Sequence, residues 1–95
     1  MAVAVEMTFR GATLDQYDQV IRAMGLEQGG PTPPGAISHV VMKTDDGFRV
    51  IDVWESREAF DRFAQEEIGP RTREAGITDE PDMRFYEAHN YLTKS

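Results

Sequence analysis

The residues best suited to chemistry lie in two neighbouring segments, residues 37–44 and residues 48–55. His39 falls in the first segment, and Asp52 and Trp54 fall in the second. A carboxylate that orients an imidazole makes a general base that works near neutral pH. An indole beside that base provides a wall for a flat substrate. We therefore expect His39 and Asp52 to be catalytic and Trp54 to bind substrate. The alternative is that His39 satisfies one hydrogen bond at a subunit interface.

The turn between these segments decides which side chains share a face. Both segments predict strands, and Asp46-Gly47 predicts a two-residue turn, because Asp-Gly readily takes the positive φ of type I′. His39 then opposes Trp54, and Asp52 lies diagonally across from His39, within side-chain reach. A slip of one residue would exchange the two faces of the hairpin, so this assignment depends on the turn.

The hairpin paired in this way has an aliphatic face and a mixed face. The aliphatic face holds Val40, Met42, Ile51 and Val53. The mixed face holds Ile37, His39, Val41, Lys43, Val50, Asp52 and Trp54. We expect the helices to cover the aliphatic face, which leaves the mixed face pointing away from them. A surface of that composition is typical of an interface or a ligand cavity.

A second group of candidates lies in the last predicted strand, residues 83–92. His89 and Asn90 stand near its end, where they are placed to reach a pocket mouth or a partner subunit. Tyr86 and Glu6 are candidates for lining the same cavity, although no tight turn fixes the register of this strand. We count Tyr86, His89 and Asn90 as substrate-binding candidates. The alternative is a polar strand end with one anchoring aromatic residue.

Four strands and two helices must position these residues. Residues 2–8 alternate and predict the first strand. Thr13 and Gln16 form a capping box at the start of the first helix, and Gly25 ends that helix. Its apolar stripe consists of Leu14, Tyr17, Val20, Ile21 and Met24. Ser56 caps the second helix, which Gly69-Pro70 ends or kinks. The stripe of that helix consists of Ala59, Phe60, Phe63, Ala64 and Ile68.

Residues 25–36 read GLEQGGPTPPGA, a composition in which neither a helix nor a strand persists. Two interpretations stay open for this loop. It is either a simple connection, which costs little, or a lid over a cavity.

The element order is therefore β-α-β-β-α-β, which is the ferredoxin-like arrangement of the α+β class. It implies a four-stranded antiparallel sheet with two helices on one face. The 95 residues form a single domain, residues 1–95.

Composition excludes several kinds of function. The net charge of −7 opposes binding to nucleic acid, and no strand carries the run of aromatic and basic residues that RNA-binding domains of this fold place on the open sheet face. The chain has no cysteine, and its two histidines form no local ligand pair, so we expect no metal site. The N-terminal residues resemble neither a signal peptide nor a membrane span, which indicates a cytoplasmic protein without a membrane partner.

The chain resembles the dimeric α+β barrel superfamily, which includes the antibiotic-biosynthesis-monooxygenase-like proteins. The resemblance lies in the element order, in VWES at positions 53–56, in REAFDRF at positions 57–63 and in a long terminal strand. It implies a homodimer whose two sheets face each other and bury the mixed face. Haem-degrading members carry an early Asn and a His on the second helix. This chain has neither, so we expect no haem and no other cofactor.

The resemblance also implies an activity. Monooxygenases of this superfamily oxidise electron-rich aromatics such as quinols without metal or flavin, so we expect a small aromatic ligand. His39 would be the base, Asp52 its orienting partner and Trp54 the stacking wall, while Tyr86 and Asn90 would bond to a substrate or peroxide oxygen. Two alternatives stay open: a non-catalytic ligand-binding or structural homodimer, and a cyclase or isomerase that uses the same base without O₂.

Overall fold

The computed structural model describes residues 1–94 and shows a four-stranded antiparallel sheet with helices on one face. In chain order the elements are β1 (Val3–Arg10), α1 (Leu14–Ala23), β2 (Ala36–Thr44), β3 (Gly47–Trp54), α2 (Arg57–Phe63), a π-helical turn (Ala64–Ile68), α3 (Gly69–Glu74) and β4 (Asp82–Glu87). The strand order β2-β3-β1-β4 is ferredoxin-like, which confirms the predicted fold class. No helix in residues 1–94 is long and apolar enough to cross a bilayer.

The first helix begins and ends where the sequence predicts. The Gln16 N–H donates to the Thr13 hydroxyl at 3.1 Å, and the Gln16 side-chain oxygen accepts from the Thr13 N–H at 2.9 Å. This capping box satisfies two backbone donors that the helix leaves unpaired. Gly25, with φ of +77°, follows Met24 and ends the helix in the left-handed region that glycine tolerates.

The second helical segment continues past Gly69 instead of ending there. Ser56 caps α2 by accepting from the Ala59 N–H at 3.1 Å. The backbone then widens into the π-helical turn, in which the Gly69 N–H bonds to the Ala64 carbonyl. Pro70 falls in the first turn of α3, where a missing N–H costs nothing. The predicted kink is therefore a π turn that joins two short α-helices.

The register of the β2–β3 hairpin differs from the prediction by two residues. Thr44 pairs with Gly47, so the loop residues are Asp45 and Asp46, and neither has positive φ. The reason is that Gly47 is needed inside β3, where a Cβ atom would lie 1.9 Å from the Phe9 carbonyl oxygen. A shift of two residues leaves every side chain on the same face. It brings His39 directly opposite Asp52 instead of diagonal to it.

The helices cover the mixed face of the hairpin, so the expected choice of face is wrong. Phe48, Val50, Asp52 and Trp54 are buried, whereas Val40 is 51% exposed and Ile51 is 36% exposed. The cause is the central strand β1, which adds apolar side chains to the mixed face. The prediction considered only the two strands of the hairpin. The apolar β1 residues Val3, Val5, Met7 and Phe9 pair with Trp54, Asp52, Val50 and Phe48. Residues paired in this way share a face, and the helices cover the larger apolar area.

The last strand is shorter than predicted. β4 spans six residues and pairs with β1, and its final backbone bond runs from the Ala88 N–H to the Ala2 carbonyl at 3.0 Å. The first strand begins at Val3, so residues after 88 have no strand beside them to pair with. Residues 88–94 therefore continue outside the sheet.

Candidate functional site

The centre of the site is a carboxylate–imidazole pair on neighbouring strands. His39 Nδ1 on β2 lies 2.6 Å from Asp52 Oδ1 on β3. The carboxylate is almost fully buried, with 5% of its side chain exposed, while 30% of the imidazole is exposed. A strand pairing sets this contact directly, because opposed residues place their Cβ atoms about 5 Å apart.

The second carboxylate oxygen is also bonded. Trp54 Nε1 donates to Asp52 Oδ2 at 3.1 Å, and the indole packs against Phe60 and Phe63 with ring centroids 5.7 and 5.0 Å away. A buried carboxylate is costly unless donors satisfy its oxygens. Here both oxygens have one, so Asp52 is fixed in position and His39 is oriented by it. Trp54 therefore positions the pair from within the core, where it is 1% exposed, instead of forming an open stacking wall.

Tyr17 of α1 completes the network from the helical layer. Its hydroxyl lies 2.5 Å from His39 Nε2, and the two rings are nearly parallel, with an interplanar angle of 7°. The sequence placed Tyr17 only in the apolar stripe of the first helix. Its role was missed because the helices were assigned to the other face. The one signal available was a hydroxyl on that stripe, which needs a partner when buried.

The hydrogen-bond pattern assigns the protons of this chain of side chains. When His39 is neutral, Asp52 accepts from Nδ1–H, and Nε2 then presents a lone pair that accepts the Tyr17 O–H. Burial raises the pKa of the Tyr17 hydroxyl to about 12, and the carboxylates of Asp52 and Asp18 add to the shift. Tyr17 is therefore a neutral phenol at physiological pH. The arrangement is a carboxylate–imidazole–phenol chain able to take up one proton.

These side chains line a cavity of about 780 Å³ between the sheet, α1 and the loop of residues 24–35. That volume is typical of sites for small organic ligands. The wall is mainly apolar and includes Val20, Phe48, Val50, Trp54, Phe63 and Ile68. Leu26, Pro31 and Pro33 of the loop also line it, which favours the second of the two interpretations of that segment, a cover over a cavity.

The other predicted site residues lie away from this cavity. Tyr86 pairs with Ala4, which places it on the opposite face of the sheet, where it is 52% exposed. Glu6 lies on that same face, opposite Ile51 and Arg84. His89 and Asn90 are exposed in the segment after β4. The structure thus brings together His39, Asp52 and Trp54 but not Tyr86, His89 or Asn90. The sequence could not place Tyr86, because no tight turn specifies how β4 pairs with β1.

Metal binding finds no support in the geometry of residues 1–94. No group of three or more His, Asp or Glu side chains in this part of the chain is arranged to hold an ion. The His39–Asp52 pair instead has its polar atoms engaged with Tyr17 and Trp54.

Neither a protein-family model nor a curated protein matches this sequence. Several solved structures do match over almost the whole chain. SnoaB from Streptomyces nogalater, described as a cofactor-independent oxygenase, is 18% identical, with a TM-score of 0.60 over 98% of this chain and 97% of its own. A proposed antibiotic biosynthesis monooxygenase from Deinococcus radiodurans is 14% identical, with a TM-score of 0.59 over 100% and 99%.

A third match carries a ligand. The monooxygenase from the gene ActVA-Orf6 of Streptomyces coelicolor, in complex with nanaomycin D, is 24% identical, with a TM-score of 0.51 over 99% of this chain and 92% of its own. Identities at this level establish the fold and nothing finer. The chain has the four-stranded ferredoxin-like fold of these oxygenases and monooxygenases.

Proposed function

We propose that this protein is a cofactor-independent monooxygenase that acts on a small, electron-rich aromatic substrate of the quinol type. The observation that carries the proposal is the buried Asp52 carboxylate, bonded to His39 and Trp54 at the wall of an apolar cavity. A carboxylate held in this way orients the imidazole and stabilises the imidazolium that forms when a proton arrives. The His39–Asp52 pair is the base that receives a proton from the substrate.

The rest of the reaction follows from the substrate anion. The anion transfers one electron to O₂, and the resulting radical and superoxide combine at a ring carbon that carries hydrogen. The peroxide recovers the proton held by the base and loses water, which leaves a carbonyl group. One oxygen atom enters the product and the other leaves as water, so the step needs no further reductant.

The character of the cavity supports this chemistry. Its apolar wall excludes water from the base and from the charged intermediate, which strengthens each electrostatic contact. Phe63, which is only partly buried, offers aromatic surface on which a flat ring can pack, whereas the buried Trp54 positions Asp52. The fold is shared with a cofactor-independent oxygenase and with a monooxygenase that binds nanaomycin D, and these likenesses agree with the proposed class of reaction.

Oxygen uptake with a series of hydroquinones tests the proposal. We expect uptake by the wild-type protein above the buffer rate, and a loss of about 100-fold or more in His39→Ala. Addition of catalase separates monooxygenation, which forms water, from simple autoxidation, which forms hydrogen peroxide. Asp52→Asn should lower the uptake in the same way, and Asp79→Asn, on the exposed surface, is its matched control.

The outcome against this proposal is wild-type uptake equal to that of buffer. Conversion of the substrate at the same rate without O₂ would instead identify an isomerase or cyclase that uses the same base. Ligand binding, measured as a raised melting temperature, without any conversion would identify a binding protein.

The uncovered face of the sheet supports a homodimer as the functional assembly. Val40 and Ile51 expose apolar surface there, and Glu6, Arg49 and Arg84 bring charges of both signs beside it. A two-fold axis lets such a surface meet its own copy, because each acidic group then has a basic group available. The expected interface is thus the aliphatic face instead of the mixed face. We expect the wild-type protein to sediment as a dimer and Val40→Glu to sediment as a monomer. A wild type that sediments as a monomer would refute the dimer.

A further inference from the structure

Both ring nitrogens of His39 are already engaged within the protein. Nδ1 lies 2.6 Å from Asp52 Oδ1, and Nε2 lies 2.5 Å from the Tyr17 hydroxyl. A base that receives a substrate proton must do so through Nε2, because Nδ1–H is held by the carboxylate. The direct path to Nε2 is occupied by Tyr17. The substrate therefore has to displace this phenol or to use it.

The packing of Tyr17 argues against displacement. Its ring lies between α1 and the sheet, half-buried, with an edge-on contact to Phe48 at a centroid distance of 5.5 Å. It also lies parallel to the His39 ring, at a centroid distance of 6.0 Å. The capping box at Thr13 and Gln16 holds the first turn of the same helix. Moving the phenol aside would break a hydrogen bond and an aromatic contact together.

We propose that Tyr17 is a catalytic residue that relays the substrate proton to His39. This inference rests on the proposed function and deepens it. The substrate O–H bond breaks as its proton forms a new O–H bond at the Tyr17 oxygen. The original Tyr17 O–H bond breaks as its proton bonds to His39 Nε2. The substrate is left as an anion, His39 becomes an imidazolium beside Asp52, and Tyr17 is again a neutral phenol.

The electrostatics of Tyr17 disfavour a stepwise transfer that passes through its phenolate. With its pKa raised to about 12 by burial and by the Asp52 and Asp18 carboxylates, a free phenolate at this position is disfavoured. A neutral phenol donates one hydrogen bond and still has a lone pair for an incoming donor. After transfer, the new Tyr17 O–H can bond to the substrate anion and stabilise it.

The relay narrows the class of substrate. A donor that reaches the Tyr17 oxygen must present an acidic O–H group, because a C–H group makes only a weak hydrogen bond. We therefore assign the cavity to aromatic substrates that carry a hydroxyl group on the ring, with the resulting negative charge delocalised onto ring carbon.

Binding of 4-nitrophenol tests the relay without any turnover, because its phenolate absorbs visible light and its phenol form does not. At a pH where the free probe is mainly protonated, we expect wild-type protein to raise the phenolate absorbance. Tyr17→Phe should lower the phenolate fraction of bound probe about tenfold or more, since one hydrogen bond to an anion is lost. Tyr91→Phe removes a hydroxyl from an exposed tyrosine after β4 and is the matched control.

The variants separate failure of the relay from failure of the proposed function. Loss of phenolate in both Tyr17→Phe and His39→Gln supports the relay. If Tyr17→Phe retains or raises the phenolate fraction of bound probe and His39→Gln loses it, the relay alone is overturned, because His39 then contacts the probe directly. If both variants retain the phenolate fraction, or if the wild type does not bind 4-nitrophenol, both proposals are overturned. Probe affinity and the melting temperature of each variant establish that its cavity remains folded.

Turnover gives a second readout. With a hydroquinone that the wild type oxidises, Tyr17→Phe should lower kcat about 100-fold and leave KM nearly unchanged. An unchanged kcat with a lower KM would mean that Tyr17 competes with the substrate for Nε2, and this would overturn the relay.

Discussion

His39 and Asp52 face each other directly across the β2–β3 hairpin, with 2.6 Å between Nδ1 and Oδ1. Two adjacent strands hold the two ends of this contact, so its length depends on sheet pairing and not on a mobile loop. The pair is therefore a fixed feature of the folded chain.

Replacing Asp52 by Asn should exchange the tautomer of His39. The Asn oxygen can accept from Trp54 Nε1, which leaves an amide N–H to donate to His39 Nδ1. The imidazole proton then resides on Nε2, where it no longer offers a lone pair to Tyr17. We expect activity to fall about 100-fold or more and stability to fall by about 1–2 kcal/mol. Nitrogen-15 NMR of the imidazole checks the tautomer, and an unchanged tautomer would contradict this account.

Replacing Trp54 by Phe should uncouple the carboxylate from the core. The change keeps an aromatic ring against Phe60 and Phe63 but removes the donor at 3.1 Å from Asp52 Oδ2. We expect a loss of about 1–3 kcal/mol in the free energy of unfolding, measured in urea. A double-mutant cycle with Asp52→Ala, which removes the acceptor, should give a coupling energy of about 0.5–3 kcal/mol. Additive effects would mean that the indole acts by packing alone.

Stability should decline at high pH because of Tyr17. Its folded-state pKa of about 12 lies above the ordinary value of 10, so the unfolded chain gives up this proton first. The contribution of Tyr17 is complete below pH 10 and is lost as the pH rises towards 12. After allowance for partial exposure, we expect about 1 kcal/mol. Urea unfolding at pH 9 and pH 11.5 should show this extra loss in wild type and not in Tyr17→Phe.

Two glycines in the loop beside the cavity provide a matched test of packing. Gly35 and Gly29 both have positive φ, +89° and +74°, so alanine is strained at either position. At Gly35 the new Cβ would also lie 3.2 Å from Ala59 Cβ and 3.4 Å from the Trp54 ring, whereas at Gly29 it meets open space. We expect Gly29→Ala to cost about 1 kcal/mol and Gly35→Ala about 2–3 kcal/mol. Equal melting temperatures would contradict the role of the Gly35 contact.

The local signals in the sequence were sufficient for the elements and their order. Thr13, Gln16, Gly25 and Ser56 act at helix ends through bonds within a few residues, so their effects can be predicted without tertiary knowledge. The predicted hairpin placed His39 and Asp52 on one face although its register was wrong by two residues, because side chains on a strand alternate between faces every two residues.

Tertiary relationships were the part that the sequence did not determine. The helix-covered face depends on how β1 pairs with β3, a contact between residues 37 to 51 positions apart. The contact of Tyr17 with His39 could not be predicted without knowing which face the helices cover. Tyr86 was set on the other side by pairing with Ala4, which no turn near either residue specifies. Each of these outcomes depends on the summed apolar area of the whole sheet.

The π-helical turn at Ala64–Ile68 has a consequence for how such a cavity can change over evolution. A turn of this kind accommodates one more residue than regular α-helix, which rotates everything that follows by about 100° around the axis. Ile68 and Thr72, which line the cavity, lie in or after it. Deletion of a single codon here would straighten the segment and present different side chains to the cavity, while Asp52 and His39, on separate strands, would keep their positions. The shape of the cavity and the His39–Asp52 pair therefore depend on different parts of the chain.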